Sequence, residues 1–199
     1  DYAKSLPIRH IMINTNGIKI ANDDSFTERL NEYMPGIEIY LQFDSFKSSV
    51  LTKLRGKDLQ DNRKKALEKL NQLNIHTTLV ATIERGQNND EIGQIVDFAI
   101  KQKCVRGVTF QPTQFAGRVE KFIPEKHKYT LTEIRQDILD QTNVFQPNDI
   151  LPVPCNPDSI AMAYALKLDG KVQPLTSLLD PDIFLNSSGN TIYEYTKTR

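Results

Sequence analysis

The chain has 199 residues, 25 basic and 25 acidic side chains, 39% hydrophobic residues and no tryptophan. That length buries one good core, or one core with a smaller appendage. Balanced charge argues against nucleic acid as a partner, because a phosphate-backbone binder shows a basic excess or patch. No apolar run reaches the about 18 residues of a membrane span, and no signal peptide is present. Two widely separated cysteines, Cys104 and Cys155, argue against a disulfide framework and point to a reducing, cytoplasmic compartment.

The chain opens on Asp1 to Leu6, which reads as the last turns of a helix before Pro7, a residue that cannot easily continue one. No initiator methionine is present, and the expectation is that residues upstream have been removed. The first strand is predicted over residues 8–14 (IRHIMIN), closed by Thr15, Asn16 and Gly17. A helix follows over 26–34, with Ser25 and Glu28 at capping-box spacing. The second strand spans 37–43. The next helix, 59–73, places Leu59, Arg63, Ala66, Leu67, Leu70 and Leu73 on one stripe, with Asn74 as its cap. Each leucine buried there contributes about 1.5–3 kcal/mol.

A third strand is expected over 76–83, a helix over 90–101 and a fourth strand over 105–111, ended by Pro112. This alternation argues for parallel strands joined by right-handed crossovers. Beyond Arg118 the rhythm breaks. Thr130 and Glu133 have capping-box spacing before a helix, and the proline-rich stretch 147–157 is expected to be extended. Asp169-Gly170 signals a hairpin, although 160–168 is also compatible with a helix. The predicted organisation is a barrel domain, 1–125, and a C-terminal extension, 126–199, containing a helix and a hairpin.

Parallel strands covered on both faces read as unbroken apolar runs, and these do not. In the second strand Ile37, Ile39, Leu41 and Phe43 oppose Glu38, Tyr40, Gln42 and Asp44. In the third, Leu79, Ala81 and Ile83 oppose Thr78, Val80, Thr82 and Glu84. An open barrel with a lumen that accepts a polar ligand explains this better than a doubly wound sandwich. Chemistry in βα barrels collects at the carboxyl ends of strands. Here those ends carry Asn14, Thr15, Asn16, Gln42, Asp44, Glu84, Arg85, Gln111, Gln114 and Arg118. His10 and His76 lie at strand starts, and His127 has no ligand spacing with either, so all three read as structural or surface residues. Cys104, just before a strand, reads as a small core residue.

At these same residues the chain resembles the radical S-adenosylmethionine superfamily. The matching pieces are INTNG (13–17), LQFD (41–44), LVATIERGQNND (79–90) and VTFQP (108–112), in family order. RGVTFQPTQFAGR (106–118) and DILPVPCNP (149–157) are similar to radical methylases acting on pterin precursors of methanopterin-type cofactors. The resemblance implies a partial, open (βα) barrel of α/β class that lacks its first two strands. It also implies reductive cleavage of S-adenosylmethionine at a 4Fe-4S cluster, giving a 5′-deoxyadenosyl radical for hydrogen abstraction or methylation.

Carried over by position, Asn14, Thr15, Asn16, Gln42, Asp44 and Gln111 fall to the cofactor. Thr78, Thr82, Arg118 and Cys155 fall to a small-molecule substrate, and no residue of the chain is assigned to catalysis or to a metal. The family's CxxxCxxC cluster loop is absent from the sequence, so the expectation is a chain that binds no cluster and catalyses nothing alone. Two other readings remain open: a non-catalytic binding module, and a self-contained βα-barrel lyase, for which no lumen lysine is evident. The apolar strand 8–14, left at an edge, is expected to pair with a second copy.

Overall fold

The computed structural model describes residues 1–114, 123–154, 156–168 and 171–186; Arg118, Cys155 and the Asp169-Gly170 pair therefore lie outside the described residues. The chain divides into two compact units, Asp1–Thr130 and Leu131–Arg199.

The first unit begins with a short helix, α1 (Tyr2–Ser5), and the strand β1 (Ile11–Thr15). Helices α2 (Ile18–Asn22) and α3 (Asp24–Glu32) lead to β2 (Ile37–Gln42). Then come α4 (Ser48–Arg55), α5 (Gln60–Leu73) and β3 (Thr77–Ile83). A single 3-10 turn, Asn89–Glu91, opens α6 (Ile92–Lys101), followed by β4 (Val105–Pro112) and the short α7 (Pro124–His127). The strands form one sheet in the order β1-β2-β3-β4, and every neighbouring pair is parallel. Four parallel strands with helical crossovers form an α/β arc, the architecture of a partial open (βα) barrel.

The alternation along β2 explains which side the helices cover. Ile37, Ile39, Leu41 and Phe43 are buried, whereas Glu38, Tyr40 and Gln42 are half-buried. Phe43 stacks on Phe98 of α6 at 5.3 Å between ring centroids, and Phe46 meets both rings edge-on. Register carries the polar side across the sheet. Asn14 pairs with Tyr40, Tyr40 with Thr78, and Thr78 with Gly107. Gln42 pairs with Val80, Val80 with Thr109, and Thr82 with Gln111.

Helix α5 buries Arg63, Ala66, Leu67 and Leu70, the predicted stripe, and ends on Asn74 in the left-handed region at φ 51°. Gly17 fixes the approach of α2 to this helix. Its φ is +81°, and a Cβ there would stand 2.8 Å from Leu41 Cδ1 and 3.2 Å from Ala66 Cβ.

Several local expectations are corrected. Helix α3 is capped by Asp23, whose Oδ1 accepts from Phe26 N at 2.9 Å; Ser25 only donates its hydroxyl to Asp23. An aspartate ahead of the serine is an equally good cap and sits two residues earlier, directly before the helix. Helices α2 and α4 were not anticipated. The first has five residues, too few to show a period, and the second buries only Val50 and Leu51.

The second unit holds α8 (Leu131–Gln141), a 3-10 turn (Pro147–Asp149), two short antiparallel pairs and α9 (Pro181–Asn186). The pairs are β5 (Leu151–Pro152) with β6 (Ala161–Met162), and β7 (Ala165–Leu168) with β8 (Lys171–Pro174). The proline-rich stretch is thus not extended throughout: Asp149 and Gln146 cap each other reciprocally and close the turn. Residues 165–168 are strand, and the expected hairpin's two arms are present. Tyr164 and Phe184 stack at 5.6 Å.

Replacing Gly17 by alanine forces a Cβ into Leu41 and imposes a left-handed backbone on a residue that resists it. The expected loss is about 2–4 kcal/mol, read as a lower urea midpoint at unchanged slope.

Candidate functional site

Just beyond Gln42, where β2 ends, the chain turns sharply through Asp44, a non-glycine residue at φ 60°. Such a conformation has to be held, and the neighbours hold it. Arg55, the last residue of α4, grips the Asp44 carboxylate with both arms of its fork: Nε to Oδ2 at 2.8 Å and Nη2 to Oδ1 at 2.8 Å. The backbone N–H of Thr82 on β3 donates to Oδ1 at 3.0 Å. Asn88, fully buried, donates to the carbonyls of Asp44 (2.9 Å) and Thr82 (2.8 Å) and accepts from Glu84 N (2.9 Å). The hydrogen bond to Asp44 holds the Arg55 guanidinium above its ordinary proton affinity.

The loop after Asp44 is fixed with equal care. Ser45 donates its hydroxyl to Glu91, and Phe46 N donates to the same carboxylate at 3.1 Å. Gln60 Nε2 donates to Phe46 O at 2.6 Å, and Lys47 Nζ spans Gln87 O and the Asp90 carboxylate. A small cleft beside this loop is lined by Asn16, Gln42, Asp44, Arg55, Lys57 and Arg63, with Leu51 and Leu59 as apolar wall. It lies at the carboxyl ends of β1 and β2, where barrels of this kind place ligands.

Three of the residues picked from sequence meet there: Asn16, Gln42 and Asp44. Asn16 Oδ1 caps the following turn by accepting from Ile18 N at 3.1 Å. Thr15 is in register with Leu41, on the helix-covered side, and its hydroxyl accepts from Gly17 N. Asn14 and Gln111 are exposed on the polar side of the two edge strands. Thr82 accepts from Arg55 Nη2 at 3.2 Å, and Thr78 donates to Glu38 Oε1 at 2.5 Å. His10 Nε2 lies 3.0 Å from Glu38 Oε2. The His76 imidazole has its proton affinity lowered by burial and then by Arg106. Cys104 is buried.

Arg55, Lys57 and Arg63 escaped the sequence reading as site residues. A signal was present for Arg63, a charge on an otherwise apolar helix stripe. Arg55 had none, because α4 itself was not legible.

A polar-faced arc of parallel strands whose pocket opens at the strand ends is the scaffold of a ligand-binding βα barrel. The family model of the radical SAM superfamily matches residues 1–99, and the chain belongs to that superfamily. It is similar to 7,8-dihydro-6-hydroxymethylpterin dimethyltransferase of Methanocaldococcus jannaschii, with 29% identity over 227 aligned residues. The alignment covers 99% of this chain and 44% of that protein, so the chain spans less than half of its relative's length.

The superfamily uses S-adenosylmethionine and a 4Fe-4S cluster. The cleft gathers amide, cationic and apolar side chains of the kinds that contact the first, and as shaped in this structure it has room for about one water molecule. The residues present do not suit the second: the sequence holds two cysteines, and no cluster of three or more His, Cys, Asp or Glu occurs among the described residues. No helix among those residues is long and apolar enough to cross a membrane.

Asp44→Ala would strand Arg55 and the Thr82 N–H and release the left-handed turn. The expected cost is about 3–5 kcal/mol, measured by chemical denaturation. A double-mutant cycle with Arg55→Ala should show strong non-additivity, since the two share one interaction.

Proposed function

We propose that this chain is the nucleoside-binding part of a radical S-adenosylmethionine enzyme. In the whole protein, a 5′-deoxyadenosyl radical would abstract hydrogen from, or drive methylation of, a small pterin-like substrate. The observation that carries this reading is the coincidence of the family match over residues 1–99 with a small cleft, lined in part by Asn16, Gln42 and Asp44, on the ends of β1 and β2 inside that span. The similarity to a pterin dimethyltransferase supports the substrate class.

In this reading Asn16 and Gln42 meet the polar edges of the ligand, while Leu51 and Leu59 exclude water from its apolar parts. Asp44 acts indirectly, by setting the position of Arg55 and of the loop beyond it. Thr78 and Thr82, on the polar side of β3, line the path to the substrate. The sequence's two cysteines cannot make the superfamily's three-thiolate loop, so the chain by itself should bind the nucleoside and leave it intact.

Calorimetric titration of the 199-residue chain with S-adenosylmethionine should give one saturable site. Gln42→Leu should weaken binding by about tenfold, the loss expected when a neutral hydrogen bond is removed and its partner left buried. Incubation with dithionite should yield no 5′-deoxyadenosine. Absence of binding in the folded chain would remove the reading, and quenching of 6-hydroxymethylpterin fluorescence on adding the chain would test the substrate class separately.

A further inference from the structure

Strands β1 to β4 carry a single carboxylate, Glu38. It shares the polar face of β2 with Tyr40 and Gln42. Its side chain is 14% exposed, and among the described residues no lysine or arginine forms an ion pair with it. Its two partners come from the neighbouring strands: His10 Nε2 lies 3.0 Å from Oε2, and Thr78 Oγ1 donates to Oε1 at 2.5 Å. An ionised carboxylate accepts about four hydrogen bonds, so each oxygen keeps acceptor capacity unused. Withdrawing such a charge from water without a strong cationic partner costs stability, and a tie between strands does not require one.

The surface around Glu38 suits a flat ring. Met12, its register partner on β1, is 56% exposed, so the polar face is open at this height. On the other side Thr78 pairs with Gly107 of β4. A Cβ at Gly107 would stand 3.0 Å from Thr78 Oγ1, and the three atoms nearest to it all belong to Thr78. The glycine thus leaves the hydroxyl room to serve Glu38, and a glycine within a strand often marks close approach by a ligand. Tyr40, next along the same face and in register with Asn14 and Thr78, adds an aromatic side chain. Met12 adds an adaptable thioether.

We propose that Glu38 determines substrate specificity, its carboxylate receiving the paired N–H donors of a 2-aminopyrimidin-4-one ring, the 2-amino group and N3–H. That donor pair matches the two oxygens of one carboxylate as a guanidinium fork does. Glu38 lies four strand residues, about 13 Å, from Gln42 at the end of β2. A ring held at Glu38 and lying along the polar face turns its opposite edge, the one bearing the C6 substituent, toward the strand ends. That the ring is a pterin rests on the function proposed above; the demand for paired N–H donors rests on Glu38.

The test uses the full chain near neutral pH, with ligand fluorescence followed on titration. The probes are 6-hydroxymethylpterin and 6-hydroxymethyllumazine, which carries a carbonyl in place of the 2-amino group. Binding of S-adenosylmethionine to the wild type is followed separately by calorimetry. The wild type should prefer the pterin by about tenfold or more, the worth of a charge-assisted hydrogen bond. Glu38→Gln, of the same shape, should lose that preference by weakening the pterin and not the lumazine. Glu38→Asp keeps the charge on a shorter stem and should retain part of the preference; it carries the test should the glutamine variant not fold.

Equal binding of the two rings by the wild type overturns the proposal. So does a pterin preference that survives in Glu38→Gln, or a loss of the same factor for both rings, which would make Glu38 only a tie between strands; in each case the substrate class stands. If S-adenosylmethionine binds and neither ring does, the proposal and the pterin class fall while the nucleoside reading survives. If the Glu38-dependent preference appears and S-adenosylmethionine does not bind, the proposal stands and the nucleoside reading falls.

Discussion

Asp44 is the hinge on which the site turns. Its left-handed backbone bends the chain off the end of β2 and directs the next three residues toward Gln60 of α5 and the segment 87–91 before α6. That bend costs about 1–2 kcal/mol for a residue with a side chain. The Arg55 fork, the Thr82 N–H and the Asn88 amide together offset it. Each of these comes from a different place in the chain: the end of α4, the end of β3 and the loop before α6. One carboxylate thus ties two neighbouring strands and a helix to a common point, and the pocket inherits its shape from that tie.

The same arrangement explains why the pocket stays cationic. Because Asp44 is fully occupied by Arg55 and by backbone, it cannot also neutralise Arg63. Glu91 and Asp58 are likewise committed to loop hydrogen bonds. The acidic side chains around the cleft are committed to its frame, and Arg63 is left buried without a carboxylate of its own.

Much of the fold was legible, for a simple reason. Alternation in β2 and β3, and the stripe Ala66, Leu67 and Leu70 in α5, are periodic signals repeated often enough to be read. Helices α2 and α4 were not legible, because five residues cannot display a period and because Ser48, Ser49 and Thr52 are weak helix formers. Their helicity is imposed by packing: α2 is drawn onto α5 by the close approach at Gly17, and α4 is anchored through Arg55. The site was legible only where its residues sit at strand ends. Asn16, Gln42 and Asp44 could be found by counting to the end of a run. Lys57 and Arg63 lie in a loop and on a helix and could not be found that way.

The sequence by itself determined that the strands are parallel, that one face of the sheet is apolar and the other polar, and that polar residues collect at the carboxyl ends. Those properties follow from local periodicity and from the length of the connections. Only the tertiary structure decided that Asp44 is an internal partner of Arg55, not a group free for a ligand. It also decided that Arg63 is buried without a counter-charge. Both outcomes depend on residues 11 to 38 positions apart reaching the same few ångströms, and no local pattern records which of several nearby carboxylates a given arginine will meet.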